Sequence, residues 1–273
     1  MRKFISLMAC VLAVNSSLVT ASTIQESISA ASVGEHRSAK NIARNEFRHP
    51  VKTLSFFGLE ADMKVLEISP GGLWYAEILA PLLKESGEYI AAAYDTAKKG
   101  LPSYQYRLQA AMEKRFKEQA DVFGAAKIVK FSPPHTVELG KDSSVDMVVT
   151  FRNSHGWLRD GIAASNYQAF FDVIKPGGVL GVVQHRANQG TVRDADNFTG
   201  YVTEAEIINL AVAAGFLLEA SSEINANSLD TKNHPKGVWT LPPSYRLKDK
   251  DRAMYAAMGE SDRMTLRFRK PAK

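Results

Sequence analysis

Short β-branched runs alternate with segments of helical spacing from residue 63 to the C-terminus, and this alternation limits the possible folds more than any other feature. Residues 63–68 (MKVLEI), 89–94, 127–131, 145–151 (VDMVVTF), 179–184, 217–223 and 264–268 predict strands. Residues 74–83, 103–122, 162–174 and 203–214 predict the helices between them, the second with Leu108, Ala111, Met112, Phe116 and Ala120 as its apolar face. Strands of this kind joined by helices predict an α/β, doubly wound, Rossmann-like and mostly parallel sheet. In such sheets a ligand lies beyond the carboxyl ends of the strands, near the point where strand order reverses.

The start of the chain reads as an address. Met1, Arg2 and Lys3 precede an apolar run over residues 4–14, then polar residues, then Val19 and Ala21 at small-residue cleavage positions. The run is short against the ~20 residues a membrane-spanning helix needs. Residues 1–21 are therefore expected to be a signal peptide cleaved after Ala21, with the mature chain periplasmic or secreted. Cys10, the single cysteine, would leave with it, unless a lipoprotein-like box around it is used instead. Residues 22–60 read as a helical lead-in, with a helix starting at Pro50 and turning Val51, Leu54, Phe56 and Phe57 inward, and residues 61–273 as the main domain. A net charge of +5 spread along 273 residues does not single out nucleic acid, and no later segment is apolar enough to insert in a membrane. A small molecule is the expected partner.

The ends of the strands carry the candidate chemistry. The first strand delivers Glu67 and the turn Ser69, Pro70, Gly71, Gly72, where backbone N–H groups can approach a polar ligand closely. Asp95 ends the second strand, placed to accept from ribose hydroxyls. His155 and His185 follow adjacent strands and are candidates for a proton-accepting base. The remaining histidines lack partners at ligand spacing, so no metal site is expected. Residues 186–202 are polar and irregular, a candidate functional loop, and residues 225–260 read as an insertion before the last strand.

The segment VLEISPGGLWYAEILAPLL resembles motif I of the class I S-adenosylmethionine-dependent methyltransferases. More closely, the chain resembles a bacterial group of predicted methyltransferases over residues 36–271. The matches are Arg48-His49-Pro50, Phe56-Phe57-Gly58-Leu59, the Pro70-Gly71-Gly72 turn with Trp74-Tyr75, the segment from Phe151 through Trp157, Lys175-Pro176-Gly177-Gly178, Gln184-His185-Arg186 and the closing LRFRKP. The resemblance implies a seven-stranded sheet with its last strand antiparallel and S-adenosyl-L-methionine as cofactor. It implies that Glu67 through Gly72 hold the methionine end, Asp95 the ribose and Ser132 the adenine, with Arg152 and Asn153 near the transferable methyl. Leu73 stands where the narrower group has the last glycine of its turn, adding a side chain where the backbone meets the ligand. Methyl transfer to a small acceptor is the activity implied. The alternative is an exported, non-catalytic binding or accessory protein that keeps the fold.

Overall fold

The computed structural model describes residues 23–194 and 197–272, so the expected signal peptide lies outside the described residues. One sheet holds β1 (Lys64–Ile68), β2 (Glu88–Ala93), β3 (Lys127–Ser132), β4 (Thr136–Val137), β5 (Val145–Phe151), β6 (Ile174–His185), β7 (Leu217–Ser222) and β8 (Arg263–Arg269). Their order is β4-β3-β2-β1-β5-β6-β8-β7. Pairing from β3 through β6 is parallel, and β8 runs antiparallel to both neighbours. The architecture is the mostly parallel, Rossmann-like one expected, with one strand beyond the seven. The addition is β4, a two-residue strand antiparallel to β3 that is too short to leave a periodic signal.

Alternation along the strands builds two cores, one on each face. Val65, Met147 and Val149 enter one apolar cluster, Leu66, Ile68 and Val148 the other. The helices before β1 pack into the first cluster through Ile28, Leu54 and Phe57. Full burial of each such side chain contributes about 1.5–3 kcal/mol. The Pro50–Phe57 helix begins at its proline as expected. Its Phe57 lies so close to β6 that a Cβ at Gly181 would stand 2.7 Å from the ring. Glycine there is a packing requirement.

Two local expectations change, and a third segment gains detail. The helix predicted over 103–122 breaks at Gln119 into Ser103–Glu118 and Ala120–Phe123, and it buries Gln109 with Met112 while Ala111 and Ala120 stay exposed. The strand expected over 179–184 starts earlier, at Ile174, so that Lys175-Pro176-Gly177-Gly178 falls inside β6, which shifts register against β5. Segment 225–260 contains a 3-10 turn (Gly237–Thr240) and a helix (Arg252–Met258). No helix among the described residues is long and apolar enough to cross a membrane.

Candidate active site

β1 lies between β2 and β5, so the chain winds away from it in both directions and leaves a crevice beyond its carboxyl end. The turn that enters this crevice is tightly coiled. Ser69 (φ 49°), Gly71 (φ 57°) and Leu73 (φ 65°) all adopt left-handed backbone, at a cost of about 1–2 kcal/mol for each residue with a Cβ. Ser69 N–H donates to Ala92 O (2.9 Å), tying the turn to β2. Gly72 has no positive φ, and a Cβ there would meet no protein atom within 4 Å. It borders open cleft. Leu73 corrects the expectation drawn from its position: its side chain is 4% exposed and packs in the core, so it does not enter the cleft.

The cleft measures about 1080 Å³. Glu67, Ser69, Pro70, Gly71 and Gly72 line it from β1. Ser132 lines it after β3, Arg152, Asn153 and His155 after β5, and His185 at the end of β6. Every expected site residue but one thus lines this one cleft. Asp95 is outside the lining, 5% exposed. Its Oδ2 accepts from Thr136 Oγ1 (2.9 Å) and its Oδ1 lies 3.6 Å from Lys130 Nζ, while its N–H donates to Ser132 Oγ (2.7 Å). The Thr136 hydrogen bond is the chief reason its carboxyl titrates below the usual range. The unforeseen β4 supplies that threonine. Asn153 Nδ2 donates to Ile68 O (2.8 Å) and Thr150 Oγ1 (3.1 Å), pinning the exit of β5 to that of β1. Arg152 takes φ 63° between them, with its N–H on Val183 O (2.7 Å).

Burial shifts the titrating groups in opposite directions. Desolvation raises the Glu67 carboxyl to about 7, against the opposing Tyr89 hydroxyl that donates to its Oε2 (2.7 Å). Desolvation lowers His155 to about 4, with the Arg152 and Arg159 charges adding to it. His185 falls well below the usual imidazole value, first by burial, then through the neighbouring His155 ring and the Arg152, Arg263 and Arg48 charges. Both rings are neutral at pH 7. Gln184 Nε2 lies 3.2 Å from His155 Nδ1, and His185 Nδ1 lies 2.6 Å from Ser261 Oγ. The ring centroids are 5.5 Å apart. No group of three or more His, Cys, Asp or Glu among the described residues is placed to hold a metal ion.

No protein-family model and no curated protein sequence matches the chain. Solved structures do. An S-adenosylmethionine-dependent methyltransferase from Aquifex aeolicus aligns over 84% of this chain and 93% of its own, at a TM-score of 0.52 and 15% identity. The [4+2]-cyclase SpnF aligns over 88% and 86%, at a TM-score of 0.55 and 15% identity. The fold is the methyltransferase fold. That a cyclase shares it shows that this architecture does not set the reaction, which has to be argued from side chains.

Sequence reasoning did not single out several groups that this fold brings to the cleft. Arg44, Arg48, Glu260 and Ser261 line it, as do Phe198 and Trp239. Arg48 was visible only as part of the Arg-His-Pro lead-in, with nothing to say that it would meet Glu260 (3.2 Å) more than two hundred residues on. Phe198 and Trp239 come from the irregular segments 186–202 and 225–260, where no periodicity marks which face is inward. Trp74 and Tyr75 line the cleft yet are only 4% and 3% exposed and also pack in the core. Tyr75 also stacks on Phe151 at 3.5 Å.

Proposed function

We propose that the protein binds S-adenosyl-L-methionine against the turn after β1 and transfers its methyl group to a small-molecule acceptor. The observation that carries this reading is Gly72, where a side chain would stand in the cleft and touch nothing of the protein. A backbone kept bare at the switch point of a doubly wound sheet suits a ligand seated directly on it. The neighbouring groups fit this cofactor. Glu67 offers a carboxyl that a nearby cation would draw toward ionisation, and the rings of Trp74, Tyr94 and Tyr104 wall the same side. Held there, the cofactor would supply an electrophilic methyl group on a sulfonium sulfur.

The chain's own residues then position the acceptor and handle its proton. Gln184 Nε2 donates to His155 Nδ1, which leaves the neutral ring's proton on Nε2 and makes His155 a hydrogen-bond donor there. Ser261 can accept from His185 Nδ1, which frees His185 Nε2 to accept. His185 is therefore assigned as the proton acceptor and His155 as the donor that orients the acceptor. A base held below the usual imidazole range suits an acidic proton better than that of an alkyl alcohol.

The test is Gly72→Val. The backbone at 72 accommodates an L residue and the new methyls point into open cleft, so the variant should unfold in urea like the parent. Its affinity for S-adenosylhomocysteine by calorimetry should fall at least tenfold. Unchanged affinity in a folded Gly72→Val protein, or no binding by the parent, rejects the reading.

A further inference from the structure

The two halves of the cleft differ in kind. Glu67, backbone, glycine, Trp74, Ser132 and tyrosines line it after β1 to β3, whereas Arg152, His155 and His185 line it after β5 and β6, joined by Arg44 and Arg48 from the segments before β1 and by Phe198 and Trp239 from the later loops. Glu260, just before β8, accepts from Arg44 Nε (2.6 Å), Arg48 Nε (3.2 Å) and Arg263 Nη1 (3.1 Å). Arg152 stands in the field of the same carboxylate without pairing to it, and its Nη1 is buried with no hydrogen-bond partner among the described residues. Four guanidiniums thus share one carboxylate, and three of them (Arg44, Arg48, Arg152) open onto the cleft. A surplus of positive charge with an unused donor at a cleft wall is a field shaped for an anion.

Rings continue this wall. Phe198 lies 5.7 Å from His155 at an interplanar angle of 28°, and Trp239 lies 5.8 Å from His155 and 5.2 Å from Phe198. Arg159 and Arg246 cover Phe198 and Trp239 at 4.8 Å each. The guanidinium cluster and the ring wall meet at His155 and His185, both of which lie in the field of Arg152. A flat ring would cover aromatic faces on one side of this corner, and an attached acid group would reach the planar donor fork on the other.

We propose that the acceptor is an aromatic acid, a planar ring carrying a carboxylate, seated between the His155–Phe198–Trp239 wall and Arg152 with Arg44 and Arg48 adding to the field. The identity of this molecule as a methyl acceptor rests on the transferase reading; the site for an aromatic carboxylate does not. The methionine carboxylate of the cofactor is the competing source of the same chemistry.

Calorimetric titration with benzoate and with neutral benzamide, each alone and at saturating S-adenosylhomocysteine, distinguishes the sources. Benzoate should bind at least tenfold more tightly than benzamide and keep its affinity when S-adenosylhomocysteine saturates. In Arg152→Gln that preference should vanish, a loss at least tenfold larger than any loss of affinity for S-adenosylhomocysteine. A benzoate affinity no greater than that of benzamide, or a preference that survives Arg152→Gln, overturns the proposal. Competition between benzoate and S-adenosylhomocysteine, or equal losses of both in Arg152→Gln, also overturns it, because the guanidinium then serves the cofactor. An Arg152-dependent benzoate preference without any S-adenosylhomocysteine binding removes the transferase reading and leaves the aromatic-anion site standing. If Arg152→Gln does not fold, Arg44→Gln, at the more open rim of the cluster, should reduce the benzoate preference several-fold, and no reduction there overturns the proposal.

Discussion

Two buried carboxylates, Glu77 and Glu260, each gather arginines, yet they do different work. Glu77 accepts from Arg37 Nε (3.0 Å), Arg115 Nη1 (2.7 Å) and Asn41 Nδ2, which reaches both oxygens at 3.0 and 2.9 Å. Arg37 spends its other donors on Ser32 O, Asn45 Oδ1 (3.1 Å) and Trp74 O (3.3 Å). This network bolts the segments before β1 onto the Ala76–Leu83 helix, and its central pair has no exposed side-chain surface. Glu260 instead sits below a cleft with more guanidiniums than it can pair, one of them with an unused donor. Satisfied buried charge builds a joint. Unsatisfied buried charge beside open space builds a binding site, and the count of paired donors separates the two where burial alone cannot.

Removing either carboxylate should have the largest effect. Glu77→Gln should lower the unfolding free energy by about 3–5 kcal/mol, because it strands Arg37 in a place closed to water. Glu260→Gln should cost a similar amount, but with a distinct acid signature. The surrounding arginines, after overcoming desolvation, hold Glu260 at about 2, below its reference of 4.5. The stability this adds is fully present above pH 4.5 and is lost as pH falls through 2. Urea titrations of the parent should show that acid loss, and Glu260→Gln should lack it. A Glu77→Gln penalty below about 1 kcal/mol would break the contrast at its structural end.

Glu67 provides the opposite pH dependence within the same cleft. Its carboxyl is raised from 4.5 to about 7 by burial, so the folded state favours the protonated form. The stability from that protonated form is complete below pH 4.5 and is lost as pH rises through 7. Relative to Glu67→Gln, the parent should therefore lose on the order of 2–3 kcal/mol between pH 4.5 and above pH 7. Added S-adenosylmethionine should narrow that gap if its cationic end lies beside Glu67. Thermal unfolding across this range, with and without the ligand, checks both statements. Parallel pH profiles for the two proteins would show that Glu67 ionises freely in the folded state.

The sheet was legible from sequence because its central strands β1, β2, β5 and β6 carry apolar runs between turn signals, and the β1 turn was legible because glycine marks where a backbone must be bare. His155 and His185 could be placed together because one follows β5 and the other ends β6, and these strands are neighbours. The Glu260 cluster could not be foreseen, since its partners lie at residues 44, 48, 152 and 263 and no local pattern links them. Asp95 shows the converse limit. Its position at the end of β2 was read correctly, but the direction of its carboxylate is set by Thr136 on a strand of two residues. Leu73 was legible as a departure from glycine, while the core that takes its side chain was not.

The smallest expected effect is the sharpest test of the difference between joint and site. Arg152→Gln removes one cation from a cluster already held together by three others, so it deletes no ion pair and relieves like-charge repulsion. Burial lowers the Arg152 guanidinium to about 10 against the opposing field of Glu260, with the Arg263 and Arg44 charges adding to the lowering. Its backbone strain at φ 63° is common to both proteins and cancels in the comparison. Urea unfolding should therefore place Arg152→Gln within about 1 kcal/mol of the parent, in the range of substitutions that break no structural contact, or slightly above it. Arg37→Gln, which cuts a satisfied pair, should fall by about 3–5 kcal/mol. If Arg152→Gln loses as much as Arg37→Gln, the fourth guanidinium is part of the scaffold, and the surplus charge at the cleft has no ligand to answer for it.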